Sequence, residues 1–130
     1  MLALIVDDSP TARAQARVAL DEAAGGLGLN LDVDEAEGGV EALRILATSD
    51  VDVLIVDLHM PDVHGLEVLS FWRRRHRDGA RLAIVVSTQV SERDRSKALE
   101  HGPVFFVDKP VSFTTIAQAL SSFVSDSGQP

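Results

Sequence analysis

Four places in the sequence put reactive side chains at the end of a short apolar run: Asp7-Asp8, Asp57, Ser87-Thr88 and Asp108-Lys109-Pro110. Carboxylates brought close together repel one another unless a positive charge lies between them. Hard oxygen ligands without a His or Cys pattern suit Mg2+, which takes carboxylates, several waters and a phosphate. A lysine opposite such a cluster is a mobile point charge for a phosphoryl oxygen, and a serine hydroxyl can donate to another oxygen of the same group. Together the set describes phosphoryl transfer, with Asp57 as a carboxylate nucleophile. Singly, each feature has a plainer reading. An Asp after a strand is usually a cap or turn residue, Lys109-Pro110 fits a turn, and Ser87-Thr88 fits a helix N-cap. The weight lies in all four standing at strand ends.

The elements that must position these groups alternate between two periods. Leu2–Val6, Val53–Val56 and Leu82–Val86 are near-continuous apolar runs, the pattern of strands buried on both faces of a parallel sheet. Leu31–Ala36 alternates, as an edge strand does, and Val104–Val107 is a short fifth run. Between and after them lie five segments of helical spacing. The first starts with Ser9 as N-cap and Pro10 in the first turn, carries Ala12, Ala16, Ala19, Leu20 and Ala23, and stops at Gly25-Gly26. The others run from about Val40 to Ala47, Leu66 to His76, Ser91 to Glu100, and onward from Ser112. Their apolar stripes, Trp72 included, read as core. Strand-helix alternation in 130 residues predicts one doubly wound five-stranded parallel α/β sheet flanked by five helices, with its chemistry beyond the carboxyl ends of the strands. A single domain over residues 1–125 is expected, followed by a polar, frayed tail over 126–130, with Ser125 at the junction.

Composition removes several classes of function. The absence of cysteine excludes disulfides, thiolate zinc sites and thiol catalysis, and fits a cytoplasmic location. A net charge of −8 argues against electrostatic binding of nucleic acid, and no apolar run is long enough to span a membrane. The basic run Arg73-Arg74-Arg75-His76-Arg77 is expected to be the solvated last turn of a helix, where cations suit the macrodipole. His59 and His64 lie in one loop with no evident third partner, so a transition-metal site is not expected there.

Val6-Asp7-Asp8-Ser9-Pro10, Val56-Asp57 through Met60-Pro61 to Gly65, Val86-Ser87-Thr88 and Val107-Asp108-Lys109-Pro110 carry a resemblance. With these motifs in order along nearly its whole length, the chain resembles the CheY-like receiver domains of two-component response regulators. The resemblance implies a flavodoxin-like sheet of strand order 2-1-3-4-5. It implies that Asp57 is the phosphoacceptor, attacking the phosphohistidine of a sensor histidine kinase or a histidine phosphotransfer protein. Mg2+ would be held by Asp8 and Asp57 directly, by Asp7 through water, and by the backbone carbonyl of His59. Lys109 would contact the phosphoryl group, its bond to Pro110 often being cis in the family. Ser87 would swing toward the phosphoryl oxygens with Phe106 following inward, changing the face that binds a downstream protein target or a second copy.

Some positions depart from the usual pattern. Phe106 stands where Tyr is common and has no hydroxyl to offer a partner. Thr88 stands where Ala or Gly is usual and would crowd the phosphoryl group. His59 and Gln89 occupy positions that tune dephosphorylation in this family. Two other functions compete with a signalling switch. An aspartyl-phosphate phosphohydrolase would want a second acid two residues after the nucleophile, and position 59 is His. A degenerate receiver acting only as a binding module would not need Asp8, Asp57 and Lys109 intact. The sequence names neither kinase nor target, and fits a free-standing regulator or a module of a longer protein equally well.

Overall fold

The computed structural model describes residues 1–76, 81–100 and 102–126. Five strands, β1 (Leu2–Val6), β2 (Asp32–Ala36), β3 (Val53–Asp57), β4 (Leu82–Ser87) and β5 (Phe105–Asp108), form one parallel sheet in the order 2-1-3-4-5. The intervening helices are α1 (Pro10–Gly26), α2 (Gly39–Thr48), α3 (Gly65–Arg75) and α4 (Glu92–Leu99), and α5 (Phe113–Asp126) follows β5. Fold class and strand order are as expected from the sequence.

Side chains alternate across a strand, so each apolar run feeds two cores. Ala3, Ile5, Val53, Ile55, Ile84 and Val86 face α1 and α5, packing with Leu20, Ile116 and Leu120. Leu4, Val6, Leu54, Val56, Ala83 and Val85 face the other way, with Leu46, Leu69, Trp72 and Ala98 from α2, α3 and α4. Every residue of β3 is buried, which is why this strand shows no polar alternation. Edge strand β2 alternates because Val33 packs against the α1 and α5 core while Asp32 and Asp34 on the opposite face are exposed; Ala36, at its end, enters the other core.

Local signals set the helix starts. Ser9 Oγ accepts from the Ala12 amide at 3.2 Å, and Ser91 Oγ accepts from Asp94 at 3.0 Å. Helix α2 has no such residue of its own. Asp62, from the loop after β3, accepts from the amides of Gly39 and Val40 at 3.1 and 3.0 Å and caps α2 from outside. These bonds, first that from Val40, hold the Asp62 carboxyl below the ordinary aspartate value.

Three expectations need correction. Arg73 is not a solvated end of α3: it is 8% exposed, lies 4.9 Å from the Trp72 ring and donates to the Pro103 carbonyl. The register of α3 turns position 73 inward beside Trp72, and the flat guanidinium stacks there, so burial lowers its pKa. Arg74 and Arg75 are exposed as expected, and Arg77 lies outside the described residues. Helix α1 runs through Gly25 and Gly26, and the left-handed residue that turns the chain is Gly28, at φ 68°. Helix α5 continues through Ser125 to Asp126, where a frayed stretch was expected; residues 127–130 are outside the description. No helix among the described residues is long and apolar enough to cross a membrane.

Candidate functional site

The parallel register aligns the strand ends on one rim. Val6 pairs with Val56, Asp57 with Val86 and Ser87 with Asp108, so Asp7, Asp8, Asp57, Ser87 and Lys109 emerge side by side. Carboxylate oxygens of Asp7, Asp8 and Asp57 lie within 4.8 Å of one another. Lys109 Nζ sits between two of them, 2.7 Å from Asp7 Oδ2 and 3.2 Å from Asp57 Oδ2. The second oxygen of Asp7 accepts from the Ser9 amide at 2.9 Å, and that of Asp57 from the His59 amide at 3.4 Å. Arg13, from α1, donates to the Asp7 carbonyl at 2.7 Å and fixes the turn after β1.

Asp7 and Asp57 are buried, whereas Asp8 is exposed. Burial pushes the Asp57 carboxyl above its ordinary pKa; Lys109 pulls it back and the charge of Asp7 raises it further. Burial alone would lower Lys109, but its bond to Asp7 and the charges of Asp57 and Asp7 outweigh this and raise it. Three carboxylates thus face one ammonium, and Asp8 has no ion-pair partner among the described residues. That surplus of hard oxygen donors fits a divalent cation of the Mg2+ kind.

Ser87 is fully buried and near the rim, but its hydroxyl is turned into its own loop. Its Oγ donates to the Gln89 carbonyl at 3.1 Å and accepts from the Gln89 amide at 3.4 Å, and this hydroxyl is not hydrogen-bonded to Asp57 or Lys109. Thr88 and Gln89 are exposed. His59 is exposed too, with Nε2 3.2 Å from the Gln89 carbonyl and its ring edge-on to His64. His64 caps α3, its Nδ1 accepting from Leu66. Phe106 is half-buried on β5, with the Arg95 guanidinium of α4 4.3 Å from its ring centre. The Lys109–Pro110 bond is cis.

Sequence reasoning placed Gly65 at the end of a motif but gave it no role. A Cβ there would lie 2.2 Å from the Asp57 carbonyl oxygen, so only glycine lets α3 start directly behind Asp57. A glycine closing the loop ahead of an apolar stripe was the available signal. Asp62 was also missed, because the helix it caps is distant in sequence, and so was Arg13, whose fold-back onto the Asp7 carbonyl no residue pattern announces.

Residues 3–121 match the family model of the response regulator receiver domain. The chain belongs to this family. Receiver domains are the signalling switches of two-component systems and work with histidine kinases. Sensor protein EvgS of Escherichia coli O157:H7 is 32% identical over 118 residues, 91% of this chain and 9% of that protein. Protein-glutamate methylesterase/protein-glutamine glutaminase 3 of Hahella chejuensis is 38% identical over 110 residues, 82% of this chain and 29% of that protein. The chain therefore spans less than a third of the length of these two relatives. Among solved structures, a CheY-like receiver from Methanospirillum hungatei superimposes with a TM-score of 0.83 over 98% of this chain and 96% of that one. At 19% identity that likeness is one of fold. Response regulator TrrA of Thermotoga maritima, solved in complex with Mg(2+)-BeF, is 25% identical with a TM-score of 0.74, covering 94% of this chain and 97% of that one.

Proposed function

We propose that Asp57 of this receiver accepts a phosphoryl group from the phosphohistidine of a sensor histidine kinase or histidine phosphotransfer protein. The observation that carries the reading is Lys109 Nζ lodged between Asp7 and Asp57 while Asp8 closes the acidic cluster. An Asp57 carboxylate oxygen forms the bond to phosphorus as the N–P bond breaks, and the electron pair leaves on the imidazole, which takes up a proton. Lys109 then meets the charge gathering on the phosphoryl oxygens. Asp8, Asp57, the His59 carbonyl and, through water, Asp7 would hold Mg2+, which when bound supplies further neutralisation of those oxygens.

Ser87 and Phe106 form the switch. The serine hydroxyl exchanges the Gln89 carbonyl for a phosphoryl oxygen, and Phe106 follows it inward, altering the α4–β5–α5 face for a downstream protein. His59, Gln89 and Thr88 set the lifetime of the acyl phosphate. The domain, residues 1–125, acts in the cytoplasm as a switch with its own phosphotransfer and hydrolysis, turning over no external substrate. Incubation with acetyl phosphate and Mg2+ tests this by intact mass. One phosphoryl group adds to wild type and none to Asp57→Asn; equal labelling of the two rejects the assignment.

A further inference from the structure

Two side chains, one from the end of β4 and one from the loop after β3, meet at one oxygen. Ser87 Oγ donates to the Gln89 carbonyl at 3.1 Å, and His59 Nε2 lies 3.2 Å from that same atom. A carbonyl oxygen has two lone pairs and no proton, so it accepts both bonds, and the imidazole carries a hydrogen on Nε2. Ser87 is held in β4 beside Asp108, but positions 88 and 89 are otherwise short of ties. Thr88 and Gln89 are exposed, and His59 gives the Gln89 peptide its one hydrogen bond to another element among the described residues. His59 itself is well placed to anchor it. Its amide donates to Asp57, and its ring stands edge-on to His64 at 5.6 Å, a histidine fixed in turn as the cap of α3.

The Ser87 hydroxyl is fully buried, so it leaves one acceptor only for another. From this the geometry points to His59 as a positioning residue: by pinning the Gln89 carbonyl, its ring holds the Ser87 hydroxyl away from the phosphoacceptor in the unphosphorylated state. The inference rests on the phosphoacceptor reading and adds a route and a sign to it. His59 acts on the resting side of the equilibrium, through Ser87, rather than by touching the phosphoryl group. The backbone carbonyl assigned to the cation is untouched when the side chain is changed.

A titration of Mg2+ and beryllofluoride into the intact chain, followed by calorimetry, separates the possibilities. With wild type, His59→Ala, Ser87→Ala and the double variant, His59→Ala is expected to tighten binding about two- to tenfold, the worth of one hydrogen bond. In the Ser87→Ala background the same change does nothing. His59→Gln, whose amide can donate near the same point, restores wild-type affinity. A tightening of equal size without Ser87, no tightening at all, or a glutamine that behaves as alanine overturns the inference. So does an NMR tautomer assignment placing the resting His59 proton on Nδ1 alone. Failure of wild type to bind beryllofluoride would instead reject the phosphoacceptor reading.

Discussion

The two rims of the sheet are built from the same residue types and do opposite things. At the amino ends of the strands, Asp52 uses both carboxylate oxygens: one accepts from the Leu2 amide at 2.9 Å, the other from Arg81 at 3.2 Å. Arg81 also reaches Asp50 and the Val51 carbonyl, each at 2.9 Å, and Trp72 Nε1 donates to that carbonyl at 2.9 Å. Two carboxylates share a bidentate-capable guanidinium, and the backbone of three strand starts is tied in. At the carboxyl ends, one ammonium pairs with two of three clustered carboxylates, and the third, Asp8, faces solvent. Satisfied charge makes a clamp; charge left in surplus makes a binding site. The difference lies in the count of partners, since both rims look acidic in the sequence.

Variants can break this contrast from either side. Trp72→Ala should do most, removing a fully buried indole and a donor to Val51 at a cost of about 3–5 kcal/mol in urea unfolding. A cost below about 1 kcal/mol would show the clamp to be dispensable. Lys109→Met should lower the rate of phosphorylation by acetyl phosphate about 100-fold, because no other cation lies within ion-pair reach of Asp57 among the described residues. A rate near that of wild type would mean the ammonium is structural. Asp52→Ala should cost about 1–3 kcal/mol of stability by stripping acceptors from Leu2 and Arg81, yet leave phosphorylation of the folded protein unchanged. Altered phosphorylation kinetics would show the rims to be coupled.

The smallest effect sharpens the acidic side. Asp57 has a folded pKa raised above 3.8, chiefly by burial, so its protonated form favours the fold. That contribution is complete below the unfolded pKa and is lost as pH rises through the folded one. Without divalent cations, wild type should therefore lose stability relative to Asp57→Asn across that interval. Parallel stability-against-pH curves for the two proteins would remove burial as the dominant influence on Asp57.

What was legible in the sequence was whatever repeats locally. Unbroken apolar runs marked β1, β3 and β4, alternation marked the edge strand β2, and Ser9-Pro10 marked the start of α1. Residue types at strand ends pointed to Asp7, Asp8, Asp57 and Lys109, which the fold gathers on one rim. Illegible were interactions between segments far apart in the chain. Arg73 looks like its exposed neighbours in a basic run, and only the docking of Trp72 and Pro103 decides that it is buried. Asp62 reads as a loop residue because the helix it caps begins more than 20 positions earlier. His59 and Gln89 were singled out for their positions, and nothing in their spacing says that ring and carbonyl touch.

The missing side chain at Gly65 has a mechanical consequence. Helix α3 begins so close behind Asp57 that its first residue abuts the Asp57 carbonyl, leaving no slack for the strand end to recoil. Under the proposed phosphoryl transfer, the backbone that carries the modified carboxylate would have no room to move backward. Any yielding on that reading would fall to the exposed residues that follow β4, Thr88 and Gln89, and would give the signal its direction of travel.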